Sequence, residues 1–210
     1  MVYEYQGVKI DWYGHASFKL SDGKLQIYID PYLIPEEPVK ADIILVTHEH
    51  YDHCAVDNIR KLLKPETIVV ATGDCLSKLS DVTSKSVKPN QSLEVKGVKI
   101  ETVPAYNMNK SFHPKENNWV GYIITLNGVR IYHAGDTDFI PEMQNLKVDI
   151  ALVPVGGTYT MNAEEAAEAV NVFKPKVAIP MHYGSIVGNT ADAERFANLA
   201  EVEVKLLPQS

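Results

Sequence analysis

The chain has 210 residues, of which 45% are hydrophobic, and a formal net charge of −7. That length can bury a sizeable core in a single domain spanning 1–210. The acidic balance argues against non-specific binding to nucleic acid or an anionic membrane surface, and no apolar run approaches the roughly 20 residues of a spanning helix.

The opening residues carry neither a basic segment nor an apolar stretch of the signal-peptide kind. The two cysteines, Cys54 and Cys75, form no C-x-x-C pattern, so neither a disulfide framework nor a thiolate zinc site is indicated. A reducing cytoplasm is the expected location. Cys54 reads as a small buried residue.

Residues 8–13 alternate apolar and polar positions and predict a half-buried strand. Gly14-His15-Ala16 breaks it, and His15 taken alone reads as a structural histidine. Short strands at 18–20 and 25–29 flank a turn at 21–24. Asp30-Pro31 ends this antiparallel meander, leaving Asp30 at a strand terminus. A proline-rich loop, 31–38, leads to a strand over 42–46, whose apolar run Ile43-Ile44-Leu45-Val46 reads as buried.

Directly behind that run comes Thr47-His48-Glu49-His50-Tyr51-Asp52-His53-Cys54. Imidazole nitrogen and carboxylate oxygen are good ligands for a borderline cation such as zinc. In an extended segment His48 and His50 point to one side, and Asp52 and His53 begin the turn into a helix over 55–63. No stability argument calls for so many histidines behind a buried strand.

A strand over 67–71 and a short helix over 73–79 complete a β-α-β-α section. Short strands return over 86–103, with turns at Pro89-Asn90 and Lys96-Gly97. The polar stretch 104–118 is long for a loop in a compact chain and reads as functional. Strands 119–126 and 129–133 form a hairpin around Asn127-Gly128 and deliver Gly135-Asp136-Thr137. A buried strand over 149–153 follows. A helix opens at Asn162, with Glu165 in capping-box register, and closes at Lys174-Pro175. A strand over 177–179 leads to His182, a helix spans 191–200, and a final strand covers 202–207. Strands followed by alternating strands and helices occur twice, which suggests two similar halves packed sheet to sheet.

Three polar features thus fall at strand ends, where open sheets place their ligands: the H-x-H-x-D-H stretch, Asp136 and His182. In this order they resemble the metallo-β-lactamase superfamily. Trp12-Tyr13-Gly14-His15-Ala16-Ser17-Phe18, Tyr132-His133-Ala134-Gly135-Asp136-Thr137 and Pro180-Met181-His182-Tyr183-Gly184 further resemble its UlaG-like and N-acylethanolamine phospholipase D-like hydrolases. The resemblance implies an α/β fold, a four-layer αβ/βα sandwich with two mixed sheets face to face and helices outside. It implies two divalent ions, zinc first. His48 and His50 would bind one, Asp52, His53 and His182 the other, and Asp136 both, with Asp30 buttressing the site.

One position departs from the pattern. Where relatives carry a third histidine for the first ion, the loop reads Pro104-Ala105-Tyr106-Asn107-Met108-Asn109. Three arrangements stay open: His113 swings in, Asn107 ligates directly or through water, or the first site is incomplete. An oxygen-richer shell would suit manganese or iron.

The resemblance implies hydrolysis by a metal-bound hydroxide, on a phosphodiester, lactone or related ester. Asp52 would orient the nucleophile or carry its proton, and Lys110 or Tyr159 would contact developing negative charge or an anionic substrate. Loops 31–39, 104–118 and 156–161 would wall the pocket. The short stretches after His182 and between Asp136 and His182 leave no room for the helical domain of glyoxalase II-type thiolesterases or the inserted domain of the nuclease branch. Two rival readings are a mononuclear iron dioxygenase on the same scaffold and a non-catalytic metal-binding protein. The sequence is compatible with a monomer or a homo-oligomer.

Overall fold

The computed structural model describes residues 2–210. Its first sheet contains β1 (Tyr3–Tyr5), β2 (Val8–Gly14), β3 (Ser17–Ser21), β4 (Gln26–Ile29), β5 (Ile43–Val46), β6 (Ile68–Ala71) and β7 (Ser84–Ser86), side by side in chain order. The second contains β8 (Ser92–Val95), β9 (Val98–Pro104), β10 (Val120–Leu126), β11 (Val129–His133), β12 (Ile150–Pro154), β13 (Val177–Met181) and β14 (Glu203–Val204), again in chain order. Each sheet opens with an antiparallel meander of four strands and continues with parallel ones. The two halves therefore share one topology.

Side-chain alternation explains the layering. On β4, β5 and β6, Ile27, Ile29, Ile43, Leu45 and Val70 face the second sheet. The intervening Tyr28, Ile44, Val46, Val69 and Ala71 face outward onto α1 (Val56–Leu62) and α2 (Gly73–Ser77), where they meet Ile59, Leu62 and Cys75. These strands are covered on both faces, which is why they read as continuous apolar runs. On the far side, α3 (Ala163–Phe173) packs on β12, α4 (Thr190–Leu199) on β13, and the two helices on each other. The result is the expected order of helices, sheet, sheet, helices.

Local signals match closely. The Asn127-Gly128 turn has both residues at positive φ, 50° and 79°, as a tight two-residue hairpin requires. Asn162 caps α3 in a capping box with Glu165. Four elements differ from expectation. The strand β7 occupies Ser84–Ser86, ahead of the 86–103 stretch where short strands were expected to return. The strand β1 was not legible, because its turn is made by Gln6-Gly7 with Gln6 at φ 47°, a conformation glutamine does not advertise. The helix expected over 73–79 ends at Ser77. The final strand is only Glu203–Val204 rather than 202–207. After Lys205 N bonds to Ala178 O, the tail crosses to the first sheet, where Ser210 N donates to Trp12 O. That early departure also accommodates Pro180: past Ala178 the strand β13 has no partner on its β14 side, so a residue without an N–H is tolerated there.

Candidate metal centre

One edge of the two sheets collects the polar strand ends. Asp30 follows β4, the 47–53 stretch follows β5, Asp136 follows β11 and His182 follows β13. His15 occupies the turn between β2 and β3. His15, Asp30 and His182 all lie at positive φ, 51°, 44° and 60°, a conformation that non-glycine residues adopt rarely and mostly at functional sites. A bond from His182 N to His15 O, 2.9 Å, ties the sheets together at this edge.

The side chains form two lobes around Asp136. Ligating atoms of His48, His50 and His113 lie within 4.8 Å of one another, and so do those of His15, Asp52, His53 and His182. Between the lobes the buried Asp136 carboxylate faces four imidazoles: His182 Nε2 at 3.1 Å, His113 Nε2 at 3.2 Å, His53 Nε2 at 3.3 Å and His48 Nε2 at 4.0 Å. Despite these distances, His53 Nε2, His113 Nε2, His182 Nε2 and Asp136 Oδ1 lack an aligned hydrogen-bond partner. Buried polar atoms are normally paired. A set of them converging on a common space, all nitrogen or carboxylate oxygen, fits a divalent transition-metal ion.

Partners behind the ring orient the imidazoles. Asp30 accepts from Thr47 N at 2.8 Å, Thr47 Oγ1 at 2.7 Å and His53 Nδ1 at 2.7 Å. Because the Thr47 hydroxyl proton goes to Asp30, its oxygen is left to accept from His48 Nδ1, 2.9 Å away. Both His48 and His53 then turn an unprotonated Nε2 inward when neutral. His113 is set in the same way by Asn107, whose Oδ1 accepts from His113 N at 2.9 Å and from His113 Nδ1 at 3.1 Å. Asn107 is itself held by Asp138 and the Tyr159 carbonyl.

The charges reinforce this arrangement. Burial alone would raise Asp136, but His182 and His53 outweigh it and hold its carboxyl well below the usual range. Burial opposes a charged His53, yet Asp136 and Asp30 lift it well above an ordinary histidine. Burial, and then the neighbouring His53, push His48 well below it. Asp52 sits about 3.0 Å from His15 Nε2. Burial would raise its pKa, but the His15 hydrogen bond and His53 bring it down to about 2.

His48, His50, Asp52, His53, Asp136 and His182 thus come together from three segments. Of the open alternatives in the 104–118 loop, the structure brings His113 to the cluster and puts Asn107 behind it. His15, expected with Asp30 and Asn107 to support the site from behind the ligands, contacts Asp52 and has a ligating atom within 4.8 Å of those of His53 and His182. Lys110 is directed elsewhere: its Nζ pairs with Asp138 at 2.7 Å, and it does not line the cavity over the cluster. Tyr159 does line it. The 31–39 loop contributes nothing to that lining, whereas Ile186, beyond His182, does.

Three residues of the site had no legible signal. Thr47 was visible only as the residue before His48. Asp138 anchors the loop from beyond the Gly135-Asp136-Thr137 turn. Trp119 packs against His48, His50 and His113 at tilted or edge-on angles, with centroids 4.9, 4.8 and 5.6 Å away, and its Nε1 donates to Asp74 at 2.6 Å. An aromatic at the start of a hairpin strand carries no mark of such a role.

A helix-sheet-sheet-helix sandwich with a histidine–aspartate cluster at its strand ends is the architecture of the metallo-β-lactamase superfamily. The chain belongs to that superfamily: residues 9–182 match the family described as the beta-lactamase superfamily domain. A protein of Thermoplasma volcanium named a metal-dependent hydrolase is 38% identical over 205 residues, covering 92% of this chain and 91% of the relative. One of Thermococcus kodakarensis with the same designation is 37% identical over 218 residues, covering 95% and 96%. Among solved structures, a Parabacteroides distasonis protein assigned as a metal-dependent hydrolase superposes with a TM-score of 0.86 at 32% identity, covering 98% of this chain and 96% of its own. A Thermotoga maritima protein of the superfamily does so with a TM-score of 0.63 at 28% identity, covering 92% and 86%.

Proposed function

We propose that this chain is a single-domain metal-dependent hydrolase that cleaves an ester bond, whether in a lactone, a carboxylic ester or a phosphodiester. Two divalent ions would be held on either side of Asp136. His48, His50 and His113 would bind one, and Asp52, His53 and His182 the other. Zinc suits the imidazole-rich shell, and the Thermotoga maritima neighbour is assigned as zinc-dependent. The observation that carries the reading is the convergence of unpaired buried nitrogens on the Asp136 carboxylate.

Bound there, the ions would supply Lewis acidity and a water acidified to ionise near neutral pH. The protein's own part is positioning. Asp30 and Thr47 fix the tautomers of His48 and His53. Asp52 lines the cavity and is ionised at neutral pH, since its pKa is near 2. It can therefore orient a water by accepting a hydrogen bond and pass a proton toward the leaving oxygen. His15 holds that carboxylate in place. Tyr159, in the cavity wall, can present its hydroxyl to the scissile group. The full-length likeness to archaeal relatives named metal-dependent hydrolases supports the reaction class, and the UlaG-like motifs support the branch. A cytoplasmic location and a small-molecule substrate belong to the same reading.

Metal analysis of the protein as purified, paired with a screen of lactones, p-nitrophenyl esters and bis-p-nitrophenyl phosphate, tests it. The expected result is close to two ions per chain and turnover that disappears in His50→Ala and Asp136→Ala. Metal content below one per chain after reloading with zinc, unchanged by His113→Ala, would overturn the two-ion arrangement. Full loading without turnover on any ester would overturn the hydrolase.

A further inference from the structure

We propose that the cavity over the metal cluster selects a neutral carboxylic ester or lactone whose acyl part is apolar, either a short alkyl chain or a single aromatic ring. This deepens the hydrolase reading and rests on it. The cavity measures about 240 Å³, and its floor includes His50, His113 and Asp136. Its walls are Tyr51, Phe112, Tyr159 and Ile186. Ligand sites are commonly apolar with a few convergent polar groups, and here the charged and imidazole groups belong to the cluster, while the walls add only the neutral hydroxyls of Tyr51 and Tyr159.

Three of the wall residues are large hydrophobics that remain exposed: Tyr51 at 68%, Phe112 at 46% and Ile186 at 38%. They come from three separate segments and meet around one opening, which marks a binding surface rather than scattered exposure. The walls are also braced. Phe112 packs edge-on against Tyr159 with centroids 4.8 Å apart, and Tyr51 packs edge-on against Tyr32 at 5.9 Å.

The charge around the cavity argues for a neutral acyl group. Among the described residues no lysine or arginine lines it. The nearest candidate in the 104–118 loop, Lys110, is neutralised by Asp138 at 2.7 Å and lies 4.0 Å from Glu165. The Asp52 and Asp136 carboxylates at the floor are taken up by the proposed ions, so selection against an anionic acyl end comes from the walls. A substrate carrying a carboxylate or phosphate on its acyl part would find no partner in the walls. The small volume admits a short chain or one ring. In the reaction the oxygen of one water bonds to the acyl carbon and the acyl–oxygen bond breaks. One water proton goes to the leaving alkoxide and the other to solvent, giving a carboxylate and an alcohol.

The test compares two substrates of similar size on the zinc-loaded enzyme: p-nitrophenyl butyrate and p-nitrophenyl hemisuccinate, which adds a carboxylate at the acyl end. The expected kcat/KM ratio favours butyrate about tenfold or more. Phe112→Lys and Ile186→Lys each narrow that ratio several-fold, whereas Val172→Lys, on the outer helix α3, leaves it unchanged. Equal turnover of the two substrates, or preference for hemisuccinate, overturns the inference while leaving the hydrolase intact. A second arm reads binding alone: calorimetry with phenylacetamide, a neutral single-ring probe, on loaded enzyme and on Phe112→Ala. Binding that depends on Phe112 without turnover of any ester supports the cavity assignment and overturns the hydrolase. Absence of both binding and turnover overturns both.

Discussion

Replacing Asn107 by alanine tests how the 104–118 loop presents His113. The Asn107 side chain makes four hydrogen bonds, two accepted from His113 and one donated to each of Asp138 Oδ1 and Tyr159 O. A net value of ~1 kcal/mol for each puts the loss of stability on the order of 3–4 kcal/mol. That is a large part of the roughly 5–15 kcal/mol typical of a folded protein. The second effect concerns metal. Without its acceptor, His113 Nδ1 no longer has a fixed proton, and the ring is free to turn its Nε2 from the cluster. Removing an orienting partner of this kind lowers metal affinity about 10–100-fold. Urea denaturation of metal-free protein measures the first effect, and zinc titration against a competing chelator the second. If two zinc ions bind as proposed, one of the two binding steps should weaken by that factor while the other holds. If Asn107→Ala keeps both affinities while His113→Ala loses one, the orienting role of Asn107 is refuted.

Gly156 approaches the His182 carbonyl so closely that a Cβ would collide with it. Gly156→Ala should cost about 1–3 kcal/mol in urea denaturation and lower the zinc content of the lobe that holds His182; unchanged stability would refute the close approach. Asp52 has a folded pKa of about 2 against an ordinary 3.8. A depressed carboxylate stabilises the fold above its unfolded pKa, and that contribution is lost as pH falls through the folded value. In metal-free protein the stability difference between wild type and Asp52→Asn should therefore shrink by about 2 kcal/mol from pH 5 to pH 2, and a flat difference would count against the His15–Asp52 bond. Stripping zinc with a chelator should lower the melting temperature, since free zinc at 1,000 times its Kd stabilises by about 4 kcal/mol. His53→Ala, which removes a proposed ligand and a hydrogen-bond partner of Asp30, should abolish most of that shift.

The six residues His48, His50, Asp52, His53, Asp136 and His182 were legible as a candidate cluster because they follow the ends of β5, β11 and β13 within a few positions. Strand periodicity and turn chemistry are local properties, so the end of β5, the Asn127-Gly128 hairpin and the capped helix α3 could be read from neighbouring residues alone. The repeated meander-then-crossover order likewise foretold two equivalent sheets. What the 104–118 loop does was not legible. It has no periodicity, and its course is set by Asp138, which accepts from Asn107, Met108 and Lys110 about thirty positions away in the chain. That anchor decides that His113 rather than Asn107 reaches the cluster, that Lys110 is neutralised instead of facing substrate, and that Phe112 stands in the cavity wall. Local sequence determines which ligands a strand end can offer. Only the tertiary structure decides which distant groups complete the shell, because those contacts are chosen by packing between segments and not by the residues adjacent to them.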